Sequence, residues 1–165
     1  AQERALAEAA SLSETPEFSE LSKLKFTRDV FREALRLYPP VPMMVRENAR
    51  PEHFRDRDIA PGSQIVLSPW HLHRNGRLWE RPDDFDPGRY GTENGKSCLR
   101  EAFIPFSSGP RVCTGAGFAM VEGPLLLAML LRRWRFETVP AREPLPVAHL
   151  TVRARDGIWL RLTPR

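Results

Sequence analysis

Between Phe26 and Tyr38 the apolar residues Phe26, Val30, Phe31, Ala34, Leu35 and Tyr38 recur every three to five positions, the period of one buried helical face. The spacing predicts a helix there. Pro39 and Pro40 close it, because each lacks a backbone donor and disfavours helical geometry in the residue before it. A second helical stretch runs from Gly117 to Trp134, with an apolar stripe through Phe118, Val121, Leu125, Met129 and Leu130; Gly123-Pro124 is expected to kink or divide it. Residues 1–10, rich in Ala and Glu, read as the end of a helix, and residues 11–22 as turn formers around one short apolar turn.

Strands show by alternation. Ala60-Pro61-Gly62-Ser63 is a turn sequence, and Gln64 to Ser68 after it reads as a strand in a small sheet. Leu150 to Arg155 and Ile158 to Leu162 both alternate, and Asp156-Gly157 between them predicts a hairpin. The stretch from Trp70 to Arg100 sustains neither period. It reads as a long, largely irregular connection stapled by Trp70, Trp79, Phe85 and Tyr90, and a loop of that length in a compact domain is usually functional.

Composition narrows the class. With 165 residues the chain can bury one core, and its hydrophobic fraction of 41% and charged fraction of 28% argue against disorder and against a fibrous repeat. Sixteen prolines imply many fixed corners between few regular elements. The net charge of +4 comes from arginines scattered along the chain, which disfavours a nucleic-acid footprint and suits an acidic protein partner. Cys98 and Cys113 form no C-x-x-C pair, so a disulfide framework is not expected and a reducing, cytoplasmic compartment is. The longest apolar run, Leu125 to Leu131, is far shorter than a membrane span needs, and no signal peptide is recognisable.

Chemistry concentrates in Phe106-Ser-Ser-Gly109-Pro-Arg111-Val-Cys113-Thr-Gly115. Here a cysteine lies between glycines, two residues after an arginine and just before a helix. Free N–H groups at a helix start and a nearby guanidinium both favour thiolate, and flanking glycines let the backbone approach a flat ligand. Such a thiolate suits a nucleophile, a redox centre or an iron ligand. A zinc site from His71, His73, Cys98 and Cys113 has irregular spacing, and Gly115-Ala-Gly117 lacks the preceding strand and third glycine of a dinucleotide loop. As a nucleophile Cys113 would need a histidine, for which His149 is the only, remote, candidate. Glu33 and Arg36, taken alone, read as an exposed i,i+3 helix pair contributing roughly 0.2–0.5 kcal/mol, and His73 as a loop histidine whose polar atoms are satisfied.

Phe106, Gly109, Arg111, Cys113 and Gly115 match every fixed position of the cytochrome P450 haem-binding signature F-x-x-G-x-R-x-C-x-G, and the chain resembles that family. Further matches follow in the family's order. Glu33-Ala-Leu-Arg36 resembles its E-x-x-R helix, Pro82 to Tyr90 its meander, His73-Arg74 with Trp79 the segment before that meander, and Ala119 to Glu122 the start of its last long helix. The resemblance implies a mainly α fold with small β-sheets, the C-terminal part of the P450 fold as a single unit. Residues 24–100 would hold the E-x-x-R helix, sheet and meander, 101–134 the cysteine loop and long helix, and 135–165 the terminal hairpin. It also implies haem b (iron protoporphyrin IX) held by Cys113 as axial ligand, with Arg111 and Arg46 on its propionates and Phe106 against the proximal face. Glu33, Arg36 and Arg89 would form a structural charge cluster under the haem. Met43, Met44 and Val45, with His149 and Leu150, would line part of the pocket for a small apolar organic substrate.

The implied reaction is monooxygenation with O2 and two electrons from NAD(P)H, delivered by a ferredoxin, flavodoxin or flavoprotein reductase near Arg100 and Arg132. The family's oxygen-activating helix precedes the E-x-x-R helix and has no counterpart in these 165 residues, so the missing N-terminal half is itself an implied partner. Two other function classes fit the same motifs: a peroxide-using or isomerising haem-thiolate protein, and a haem-free scaffold or interaction module.

Overall fold

The computed structural model describes residues 1–165. Five helices, α1 (Gln2–Ala9), α2 (Lys25–Leu37), α3 (Pro69–Leu72), α4 (Glu93–Glu101) and α5 (Ala116–Arg133), carry most of the packing. Eight short strands, β1 (Met44–Glu47), β2 (Glu52–Phe54), β3 (Arg57–Ile59), β4 (Gln64–Leu67), β5 (Trp134–Thr138), β6 (Pro146–Ala148), β7 (Val152–Ala154) and β8 (Leu160–Pro164), form four separate antiparallel pairs.

α2 forms where its apolar period predicts. No side chain of its own caps its N-terminus; instead the Glu8 carboxylate reaches over from α1 and accepts from the backbone N–H of Phe26 and Thr27, both at 2.8 Å. Phe26 then packs with Ala5 and Leu131, so α1, α2 and α5 share one core, extended by Ala9, Leu12, Leu24 and Ala128. Tyr38, expected on the buried face, lies past the helix end and is half exposed, its ring edge-on to Trp70 at 6.2 Å. The α2 face is completed instead by Leu37 and by the buried polar pair Glu33 and Arg36.

α5 is one unbroken helix, so the expected division at Gly123-Pro124 does not occur. The glycine there has a packing reason: a Cβ on Gly123 would stand 2.3 Å from the Phe31 ring, so its absence lets α2 press against α5. The predicted stripe is only partly the inward one. Pro124, Ala128 and Leu131 are buried, whereas Phe118, Leu126 and Leu130 are 68%, 50% and 48% exposed, so α5 is apolar on more than one side. A helix of that kind is normally enclosed by a larger body of protein.

Two expectations are corrected in the loops. The connection after Trp70 contains α3, a 3-10 turn at Pro87–Gly91 and the nine-residue α4, whose Thr92 cap accepts from Gly95 N–H. Trp79 and Tyr90 anchor it as expected and Trp70 is half-buried, but Phe85 is largely exposed. Secondly, residues 150–155 and 158–162 do not pair with each other. β7 pairs with β6, while β8 crosses to β5 with Phe136 opposite Leu162. Gly157 does adopt the left-handed turn (φ 81°), but alternation marks a strand without naming its partner.

Candidate haem-thiolate site

The cysteine loop is held by its own backbone. Ser107 N–H donates to Ile104 O at 3.1 Å, Val112 N–H to Gly109 O at 3.0 Å, and Cys113 N–H back to Phe106 O at 2.8 Å. Gly109 (φ 70°) is left-handed, which favours glycine; Ser107 (φ 66°) adopts the same region at a cost. Arg46, from β1, braces that residue by donating from Nη2 to Ser107 Oγ at 2.7 Å. Cys113 emerges exposed two residues before Gly115, the N-cap of α5. A Cβ on Gly115 would stand 3.8 Å from Cys113 Sγ, an ordinary contact, so this position lies directly beside the sulfur.

An open cleft of about 670 Å³ lies over this loop. Pro40, Val41, Met44, Val45 and Arg46 line one side, and Phe106, Ser107, Arg111 and Cys113 the other, with Glu47 at its border. Four of the six haem-contact residues inferred from sequence therefore share one cavity: Cys113, Arg111, Phe106 and Arg46. Met44 and Val45 line it too. Met43 does not; it opens on a neighbouring groove of about 160 Å³ with Val147, Ala148 and Val152. His149 and Leu150 line neither cavity: they sit at the β6–β7 turn, where Leu150 is 87% exposed.

Below the loop, Glu33 organises a buried cluster. Its Oε1 accepts from Arg36 Nη2 (2.8 Å), Arg89 Nε (2.9 Å) and the Asp86 N–H (3.0 Å), and its Oε2 from Arg36 Nε (2.9 Å) and Tyr90 OH (3.0 Å). Two guanidinium groups thus face one carboxylate, and the excess charge is spread over backbone carbonyls. Arg36 donates to His73 O, Pro82 O and Asp84 O, and Arg89 to Glu80 O, Arg81 O and Asp84 O. The meander is therefore wrapped around two side chains from outside and inside its own length. Burial would raise the Glu33 pKa, but the hydrogen bonds from Arg36, the Asp86 N–H and Arg89 outweigh it and hold the carboxyl below its ordinary range. Burial, with the Glu33 charge behind it, raises the Tyr90 phenol. The exposed-pair reading of Glu33 and Arg36 is thereby corrected: both are fully buried. Ser107 is a member of the site that the sequence did not single out, and Tyr90, read only as an aromatic staple of the meander, also donates to the Glu33 carboxylate.

Both ring nitrogens of His73 are satisfied, by backbone groups distant in the chain. Nδ1 lies 3.1 Å from Arg36 O and Nε2 accepts the Ile104 N–H at 2.9 Å. A carbonyl cannot donate and an N–H cannot accept, so the ring is neutral with its proton on Nδ1. With both nitrogens committed, and Cys98 buried with Sγ donating to Leu78 O at 3.1 Å, the zinc alternative loses two of its four ligands.

A sulfur donor, two guanidinium groups without carboxylate partners and apolar walls on one cleft make a donor set that fits an iron porphyrin with its two propionates. That is the chemistry of a haem-thiolate protein. The family model described as Cytochrome P450 matches residues 1–160. Human cytochrome P450 4B1 is 39% identical over 149 residues, covering 90% of this chain and 29% of its own length. Cyclooctatin synthase of Streptomyces melanosporofaciens is 36% identical over 149 residues, covering 90% and 32%. Among solved structures, the retinoic acid-bound cyanobacterial CYP120A1 superposes with a TM-score of 0.92 at 26% identity, over 99% of this chain and 38% of that one. The chain belongs to the cytochrome P450 family, the haem-thiolate monooxygenases, and spans about a third of the length of the relatives it matches.

Proposed function

We propose that this chain is the proximal haem-binding part of a monooxygenase that oxidises a small apolar organic substrate. The observation that carries this reading is the placing of Cys113, Arg46, Arg111 and Phe106 on one cleft, above a loop anchored by the Glu33 cluster. Cys113 Sγ would bind the haem iron, and Arg46 and Arg111 would hold its propionates in their planar forks. Phe106, on the same cleft as the sulfur, would pack against the bound haem and keep water from the sulfur, while Gly109 and Gly115 would leave the backbone open to it. When bound, a thiolate-ligated haem supplies O–O cleavage and insertion of oxygen into a C–H bond. Met44 and Val45 give the substrate an apolar floor on this side.

Electrons come from NAD(P)H through a ferredoxin, flavodoxin or flavoprotein reductase, and the exposed Arg100 suits an acidic partner of that kind. The distal wall belongs to polypeptide outside these 165 residues, in keeping with the large apolar surface left on α5. The test is a reduced, carbon monoxide difference spectrum of the haem-reconstituted chain against Cys113→Ala. The expected result is a red-shifted Soret band in the parent that the substitution abolishes; an unchanged band in Cys113→Ala would overturn the ligand assignment.

A further inference from the structure

The His73 ring is fully buried and hydrogen-bonds to two segments distant in the chain. On one side is the last turn of α2, where the Arg36 carbonyl lies beyond the reach of the helix's own N–H groups and takes the Nδ1 proton. On the other is Ile104, the residue at which the chain leaves α4 for the cysteine loop, whose N–H is accepted by Nε2. Ile104 in turn accepts from Ser107, the residue braced by Arg46, and Phe106, two residues after Ile104, accepts the Cys113 N–H. The ring also stacks on Phe103 (centroids 5.4 Å, planes 23° apart), and its own carbonyl accepts from Arg36. One imidazole thus links the Glu33 cluster to the base of the loop that carries the sulfur.

We propose that His73 is a positioning residue for Cys113: its neutral Nδ1–H form fixes the height and orientation of the cysteine loop against α2. This rests on the haem-thiolate reading of Cys113 for its consequence, but not for its geometry. Phenylalanine at this position keeps the ring stacking and removes both hydrogen bonds, whereas glutamine keeps one donor and one acceptor on a flexible stem.

The experiment compares amide hydrogen exchange in the haem-free 165-residue chain, His73→Phe and His73→Gln, with the carbon monoxide spectrum of each after haem addition. In His73→Phe the Ile104 and Cys113 amides are expected to exchange about tenfold faster relative to those of Ala128 and Leu131 in α5, with His73→Gln recovering most of the protection. On haem addition, His73→Phe should move part of the population from the thiolate band to the blue-shifted band of a protonated or displaced sulfur, and His73→Gln should restore it. Equal acceleration at α5 and at the loop would mean that His73 serves only global stability, and would overturn the proposal. So would a His73→Phe chain with unchanged loop protection. The haem reading fails by a different sign, a parent spectrum indifferent to Cys113→Ala, and the exchange result stands whichever way that falls.

Discussion

Glu33, Arg36 and Arg89 leave one positive charge in excess inside the protein, and that decides how the cluster fails. Replacing the carboxylate by its amide, Glu33→Gln, strands two guanidinium groups that only neutral acceptors then face; the expected loss is about 3–5 kcal/mol, read as a lowered urea midpoint. His73 sets the behaviour with pH. Burial lowers its pKa from 6.5 to about 4, opposed in part by the hydrogen bond to the Arg36 carbonyl, with the nearby Arg36 and Arg74 charges adding lesser downward contributions. The unfolded chain therefore binds a proton that the folded chain refuses between those values, so stability should fall as pH drops from 6.5 toward 4 and this contribution should level off below, at a total of up to about 3 kcal/mol. Glu33, held below its ordinary 4.5, extends the decline on the acid side once its carboxyl takes up a proton. Thermal melts at intervals from pH 8 to pH 3 measure both, and a flat profile down to pH 4.5 would refute the His73 part. Cys113 and Arg111 were legible in the sequence because a motif fixes their mutual spacing. The His73 clamp was not, since both of its partners are backbone groups that any residue type would supply.

Among the elements, α2 was readable from its apolar period because its core face is mostly built from apolar side chains of its own. α4 was not: of Glu93–Glu101 only Gly95 and Cys98 are buried, so its sequence carries polar residues where a period would show. Its signals were the Thr92 cap and Glu93 in the first turn, and its tight seat on the meander depends on a missing atom, since a Cβ on Gly95 would lie 1.9 Å from Arg89 O. The terminal strands were recognised but wrongly paired, because period-2 alternation is the same whichever neighbour a strand finds. The contact of α2 with α5 gives a sharper test. Gly123→Ala should cost about 1–3 kcal/mol by driving a methyl into the Phe31 ring, and Phe31→Leu should recover part of that loss in the double variant. Non-additive melting temperatures across the four chains would confirm the close approach; strict additivity would exclude it.

At the scale of the molecule, the accessible surface is 11487 Å², against roughly 8,300 Å² for a compact monomer of this mass. Exposed apolar side chains recur on α5 (Phe118, Leu126, Met129, Leu130) and on β1, β4 and β8 (Val45, Val66, Leu160, Leu162). The isolated chain should therefore self-associate or bind a hydrophobic dye in proportion to concentration, measured by sedimentation, and addition of the preceding segment of a full-length relative should suppress both. No helix is long and apolar enough to cross a membrane. The two ends of the chain, meanwhile, hold each other. Gln2 exchanges hydrogen bonds with the backbone of Phe136 (3.0 and 2.7 Å), and Glu3 meets Arg165 at 2.8 Å beside the β5–β8 pair. Topologically the polypeptide is nearly a closed ring. A short linker from Arg165 to Ala1, with new ends opened at the exposed β2–β3 turn between Arg55 and Asp56, would preserve each of these contacts in a circular permutant while moving the free termini to the opposite hairpin.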